Sequence, residues 1–215
     1  MPPTLRGVLF DMGGPVCRTP FEMARRLERV TGAPPGAFAW TGPFDPAADA
    51  LWQRMQSTEI TEREYWHIRA REAAPYTGDE SVVTLFQTAF ADPDESIRPQ
   101  AMDFLARCRA AGMRSGILTN DMKDFNEPGW SDRVPFVQQV DFVVDGSITG
   151  ALKPDPRAYA IAIETMGFAP DEIMMIDDQP FNIEGAARAG LQTCWFDVTD
   201  PDGSYERASR IAGLQ

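Results

Sequence analysis

Four short stretches of this 215-residue chain set chemically competent side chains directly after apolar runs. In GVLFDMGGPV (7–16), Val8-Leu9-Phe10 ends in Asp11, and Gly13, Gly14 and Pro15 turn the chain. RSGILT (114–119) ends in Thr119, with Asn120 and Asp121 next. GALKPDPRAY (150–159) carries Lys153, and IMMID (173–177) ends in Asp177, with Asp178 and Asn182 in the following DDQPFN. Taken singly, each has a bland explanation: a turn aspartate, a helix-capping pair, a solvated lysine, an acidic loop. Taken together they form one inventory. A carboxylate can attack phosphorus and form an aspartyl-phosphate. Neighbouring carboxylates can hold Mg²⁺, which screens the repulsion between two anions. Thr119, Asn120, the Lys153 ammonium and the backbone amides of Gly13 and Gly14 can serve the phosphoryl oxygens.

Such groups act together only if the fold gathers them. The apolar runs LRGVLF (5–10), 114–119, VDFVVD (140–145), 173–177 and TCWFD (193–197) read as continuous rather than alternating, as strands covered on both faces do. Helical patterns lie between them: 99–112 ending at Gly112, 155–167 ending at Gly167, and 182–190 ending at Gly190. Strand–helix alternation predicts an α/β fold with a doubly wound, Rossmann-like parallel sheet. In such a sheet ligands bind beyond the carboxyl ends of the strands, where all four stretches end.

The block 18–97 is far too long for a simple connection. Its helical patterns at 21–30, 47–55, 61–73 and 80–90, the third opening on a Thr61/Glu64 capping box, predict an inserted α-helical cap. The expected division is a core of 1–17 and 98–215 with a cap of 18–97. Trp52 and Trp66, at helical spacing, read as cap core. Trp40 and Phe44, in the irregular FAWTGPFDP (37–45), are candidates to touch substrate, and the polar, aromatic loop 121–130 is a candidate pocket wall.

A formal net charge of -12 disfavours nucleic acids and anionic membranes as partners. No apolar run has the length of a membrane span, and MPPTLRG lacks the pattern of an export signal. Three widely spaced cysteines, Cys17, Cys108 and Cys194, argue against a disulfide framework and for a reducing cytoplasm.

The four stretches together resemble the haloacid dehalogenase superfamily of hydrolases: VLFDMGG, GILTN, LKPDPRAY and MMIDDQPFNIEGAARAG match its motifs in order and spacing. The resemblance implies Asp11 as nucleophile, Thr119 as a phosphate ligand and Lys153 as the charge steadying both. It implies Asp178 as a direct Mg²⁺ ligand, with Asp11 and the Gly13 carbonyl completing the protein's share. Asp177 then stands close behind Asp178, and Asn182 supports the loop. The reaction implied is hydrolysis of a small phosphorylated metabolite, a sugar phosphate among the candidates.

One position departs from the pattern. Most phosphatases of the superfamily carry a second Asp two residues after the nucleophile, to protonate the leaving oxygen; here it is Gly13. Either the leaving group needs little protonation, or the proton comes from elsewhere, with Asp121 and His67 as candidates. A metal-independent 2-haloacid dehalogenase also dispenses with that acid, but such enzymes replace the acidic pair that this chain keeps in DDQPFN. A weakly active or non-catalytic metabolite-binding module on the same scaffold is the third reading.

Overall fold

A computed structural model describes residues 4–126 and 128–214. The chain opens with β1 (Gly7–Phe10), then runs through α1 (Ala24–Thr31), α2 (Ala50–Gln56), α3 (Glu62–Thr77), α4 (Val82–Phe90) and the single turn α5 (Pro93–Ser96). The alternation that follows is α6 (Pro99–Ala110), β2 (Arg114–Thr119), β3 (Phe142–Asp145), α7 (Gly146–Thr149), α8 (Pro156–Met166), β4 (Ile173–Asp177), α9 (Pro180–Arg188), β5 (Gln192–Trp195) and α10 (Pro201–Ala212). Proline starts α6, α8, α9 and α10, where its missing N–H has no intrahelical partner to lose.

Contacts divide the chain into two compact units: Met1–Arg18 with Ile97–Asp124 and Pro128–Gln215, and Thr19–Ser96 with Phe125–Glu127. In the first, the five strands form one parallel sheet in the order β3-β2-β1-β4-β5. This is an α/β, Rossmann-like fold. From β1 the chain steps outward to β2 and β3, then returns to the other side of β1 for β4 and β5. The reversal leaves a crevice at the carboxyl ends of β1 and β4, the usual ligand position in such sheets.

The strands lack polar alternation because both faces are covered. Val8, Phe10, Ile117, Met174 and Ile176 face a layer containing Phe104, Leu105 and Tyr205. Leu9, Leu118, Val144 and Met175 face Ala158, Tyr159, Ala162 and Met166. A strand sends successive side chains to opposite faces, so an unbroken apolar run serves both layers.

Several predicted elements differ in extent, and three helices, the short α5 and α7 and the longer α10, were not foreseen. α9 begins at Pro180 rather than at residue 182, which puts Asn182 inside the first turn and only 2% exposed. β3 begins at Phe142 because Asp141 turns its carboxylate onto the Ser115 N–H (2.7 Å) and hydroxyl (3.1 Å). Helix α10 was not foreseen because half of its buried face is polar, Ser204 and Ser209 standing beside Tyr205 and Ala208, although Asp200-Pro201 and Gly213 mark its ends. Asp200 caps it by accepting the Gly203 N–H (3.1 Å).

In the second unit, Trp52, Trp66, Phe21 and Tyr65 form one aromatic core. The Thr61/Glu64 capping box starts α3 as predicted. A buried ion pair organises the irregular segment: Arg69 Nη2 lies 2.6 Å from both Asp49 oxygens. Asp49 also accepts the N–H groups of Trp52 (2.9 Å) and Gly42 (3.1 Å). Trp40 is a structural residue of this unit, not an exposed ring: it packs on Phe38, with the Arg69 guanidinium 5.4 Å from its centroid. Phe44 is exposed. The loop 121–130 is shared out, because Phe125 packs on Phe86 of the helical unit while Trp130 packs against the sheet core. Among the described residues, no helix is long and apolar enough to cross a membrane.

Candidate active site

Asp11 stands one residue past β1, and its own N–H continues the sheet ladder to the Ile176 carbonyl (2.9 Å). The carboxylate is thus carried on hydrogen-bonded backbone at the crevice. From the neighbouring strand, Asp177 ends β4 and Asp178 follows it. Oxygens of Asp11, Asp177 and Asp178 all lie within 4.8 Å of one another.

Lys153 joins two of them. Its Nζ is 2.8 Å from Asp11 Oδ1 and 2.6 Å from Asp177 Oδ2, with all three side chains buried or nearly so. Burial alone would lower the pKa of the ammonium. The charges of Asp11 and Asp177 outweigh that and raise its pKa above the ordinary lysine value, so the lysine stays charged. Asp177 is otherwise held by the chain: Oδ1 accepts the Gln179 N–H (2.9 Å), and both oxygens receive the Asn182 amide (3.1 and 3.2 Å). The Asn182 carbonyl in turn accepts the Tyr159 hydroxyl (2.8 Å).

The remaining sequence candidates divide between the neighbourhood of this group and other parts of the chain. Thr119 ends β2, almost fully buried, and Phe10 pairs with Ile117, so Thr119 lies one register step beyond the level of Asp11. The side chain of Asn120 is engaged at both ends by Lys153, its Oδ1 accepting the Lys153 N–H (2.7 Å) and its Nδ2 donating to the Lys153 carbonyl (3.1 Å). Asn120 therefore places the lysine, a role its position gave no hint of. Asp121 is half-buried at the start of the irregular segment and outside the carboxylate group. His67 is exposed on α3 of the helical unit.

The turn after Asp11 has one open position and one closed position. At Gly13 an added Cβ would find its nearest neighbour, Asp11 Oδ2, at 4.0 Å. Nothing steric therefore excludes a side chain there. Gly14 has φ +84°, and an added Cβ would stand 2.7 Å from Asp178 Cγ. Gly14 is required on both counts: a left-handed backbone and close approach to the acidic loop. A Gly14→Ala variant is expected to fold but to lose most divalent-ion affinity, read as loss of the Mg²⁺-induced rise in Tm.

Two contacts that sequence reading missed hold Asp178. Gln179 Nε2 donates to its Oδ2 (3.0 Å), and the indole N–H of Trp195 donates to its backbone carbonyl (2.9 Å). No local pattern announces them, since Gln179 looks like loop filler and Trp195 like an edge-strand residue.

The donor set suits a hard divalent cation, because it is all carboxylate oxygen with no thiolate or imidazole. Asp177 is committed to Lys153 and Asn182, which leaves Asp11 and Asp178 as the side chains facing each other across the crevice. The buried Asn182 Oδ1 has no hydrogen-bond partner among the protein's described groups. An acceptor in that state beside the cluster fits a site whose full complement includes more than protein atoms.

A model of the haloacid dehalogenase-like hydrolase family matches residues 5–190, which include every strand but β5. The chain belongs to that family. This haloacid dehalogenase-like hydrolase is 27% identical over 221 residues to a phosphoserine phosphatase of Thermus thermophilus, covering 94% of this chain and 87% of the relative. It is 28% identical over 221 residues to mouse acyl-CoA dehydrogenase family member 10, covering 97% of this chain but only 19% of the mouse protein. Among solved structures it resembles the Bacillus subtilis HAD-hydrolase YfnB bound to magnesium, at TM-score 0.74 and 17% identity over 99% of this chain and 100% of that one. L-2-haloacid dehalogenase from Xanthobacter autotrophicus shares the fold at TM-score 0.57 and 21% identity, covering 89% and 77% of the two chains. At these identities the structural likenesses establish the fold alone.

Proposed function

We propose that this hydrolase is a Mg²⁺-dependent phosphatase of a small phosphorylated metabolite, working through an aspartyl-phosphate on Asp11. The observation that carries the reading is the grouping of Asp11, Asp177 and Asp178, the first two bridged by Lys153, at the switch point of the sheet. Relatives that are phosphatases, and a fold neighbour bound to magnesium, support it. A metal-independent dehalogenase has no use for a facing pair of carboxylates, and Asp178 is held too deliberately to be incidental. Burial pushes the Cys17 and Cys108 thiols up to about 12 and Cys194 up to about 11, so none competes as nucleophile. Three free thiols also suit a reducing compartment such as the cytoplasm.

Lys153 binds Asp11 through Oδ1, so attack on phosphorus is assigned to Oδ2. As the Oδ2–P bond forms, the bond from phosphorus to the leaving oxygen breaks. Water then attacks phosphorus, the P–Oδ2 bond breaks to restore the carboxylate, and the water's oxygen leaves in inorganic phosphate, its proton passing to that phosphate or to solvent. Lys153, Thr119 and the amides of the Gly13-Gly14 turn bind the phosphoryl oxygens. A Mg²⁺ held by Asp11, Asp178 and the Gly13 carbonyl would supply charge neutralisation between nucleophile and substrate.

Gly13 offers no side-chain proton to the leaving oxygen. Good leaving groups should therefore react best: glycosyl 1-phosphates, acyl phosphates and aryl phosphates. General acid catalysis is worth about 10²- to 10⁴-fold. We accordingly expect kcat/KM for an aryl phosphate to exceed that for a simple alkyl phosphate by at least about 10²-fold. Gly13→Asp, for which there is room, should flatten that difference. EDTA should abolish phosphate release on every substrate. Halide release from 2-haloacids that survives EDTA would refute the reading in favour of the dehalogenase, and tight metabolite binding without turnover would refute it in favour of a binding module.

A further inference from the structure

Two buried polar side chains outside the chemistry above end on the turn after Asp11. Arg98, the 3% exposed residue preceding α6, donates Nε–H to the Gly14 carbonyl at 2.6 Å. Its backbone N–H donates to the Val16 carbonyl at 2.9 Å. Tyr205 of α10, also 3% exposed, donates its hydroxyl to the Pro15 carbonyl at 2.9 Å. Three consecutive carbonyls of the turn are thus gripped by distant parts of the chain. The turn's own backbone closure, Cys17 N–H to the Met12 carbonyl at 2.8 Å, brackets the same residues.

Both side chains are braced by one ring. The Arg98 guanidinium lies 5.5 Å from the Phe196 centroid, and the Tyr205 ring meets Phe196 edge-on at 5.2 Å. Burial raises the Tyr205 phenol well above its ordinary range, which keeps it protonated and a donor. Pro15 contributes no N–H, so the turn has fewer internal bonds to define it. Gly14 is the residue with no slack: the space of its missing Cβ is filled by the Asp178 carboxylate. The Gly14 backbone therefore lies directly against the Asp178 carboxylate, and a shift toward it would press on that side chain.

We propose that Arg98 and Tyr205 are positioning residues for the cation site, fixing the Asp11–Asp178 separation through the carbonyls of Gly14 and Pro15. The inference rests on the metal-dependent reading above. It adds that the geometry of the pair is set by two side chains that touch neither substrate nor ion.

The test is calorimetric titration of the 215-residue protein with Mg²⁺ alone. The variants are Tyr205→Phe, which removes one oxygen, Arg98→Met and Arg98→Lys. Groups that orient metal ligands typically contribute about ten-fold or more in affinity. We expect Tyr205→Phe to weaken Mg²⁺ binding by about ten-fold, Arg98→Met to weaken it further and Arg98→Lys to recover part of the loss. KM for substrate at saturating Mg²⁺ should stay unchanged, a split that general destabilisation would not produce well below the Tm. If Arg98→Met fails to fold by circular dichroism, Tyr205→Phe and Arg98→Lys carry the test. Wild-type Mg²⁺ affinity in folded Tyr205→Phe and Arg98→Lys overturns the positioning role and leaves the metal-dependent reading intact. Absence of Mg²⁺ binding by the unaltered protein overturns that reading first, and the inference with it.

Discussion

Asp11→Asn should reduce phosphate release by at least about 10⁴-fold, the scale on which removing a nucleophile acts. The amide keeps the shape of the carboxylate but cannot attack phosphorus. The Tm should hold or rise, because the substitution removes one of three carboxylates whose oxygens lie within 4.8 Å of one another. Lys153 loses one anionic partner and keeps Asp177 at 2.6 Å. Activity and stability would thus move in opposite directions, the mark of a strained functional site. The check is a phosphate-release assay paired with thermal melts, and mass spectrometry of acid-quenched wild-type enzyme for a phosphoryl group on the peptide bearing Asp11. Phosphate release within ten-fold of wild type would remove Asp11 from the chemistry.

Lys153→Met should damage both folding and activity. It leaves Asp177, wholly buried, without its cation. Breaking a buried ion pair from one side costs about 3–5 kcal/mol, because an uncompensated charge remains. The second half of the cycle separates the two effects. Adding Asp177→Asn to Lys153→Met removes the orphaned charge, so most of the lost stability should return while activity stays absent. Lys153→Arg should fold, since the charge is kept, yet turn over poorly because a guanidinium overfills a slot cut for an ammonium. Urea denaturation of the wild type, Lys153→Met, Asp177→Asn and the double variant measures the coupling. Single and double variants of equal stability would show that the pair does not hold the crevice together.

The strands were readable in the sequence because each is an unbroken apolar run with polar residues at its carboxyl end. Asp11, Thr119 and the Asp177-Asp178 pair came with them, as the residues that follow such runs. The helical nature of the block between β1 and α6 was equally plain from periodicity and from the Thr61 cap. Trp40 went the other way: an aromatic in an irregular, Gly/Pro-rich stretch was a candidate to touch substrate, but the Arg69–Asp49 pair pulls that stretch into a core. α10 was not read from the sequence, since its buried face mixes Ser204 and Ser209 with Tyr205 and Ala208 and so shows no plain apolar stripe.

What the sequence by itself determined is the strand tips and the set of candidate groups they present, because both are local properties of side-chain type and period. What only the tertiary structure decided is how those groups are shared and held. Lys153 divides itself between Asp11 and Asp177, Asn120 is spent on the lysine's backbone, Trp195 and Gln179 hold Asp178, and Arg98 and Tyr205 grip the turn. Most of these bonds join residues from different elements, brought together by a sheet that reverses direction at β1. A hydrogen bond between groups far apart in the chain leaves no periodic trace, so it becomes visible only when the strands are in register.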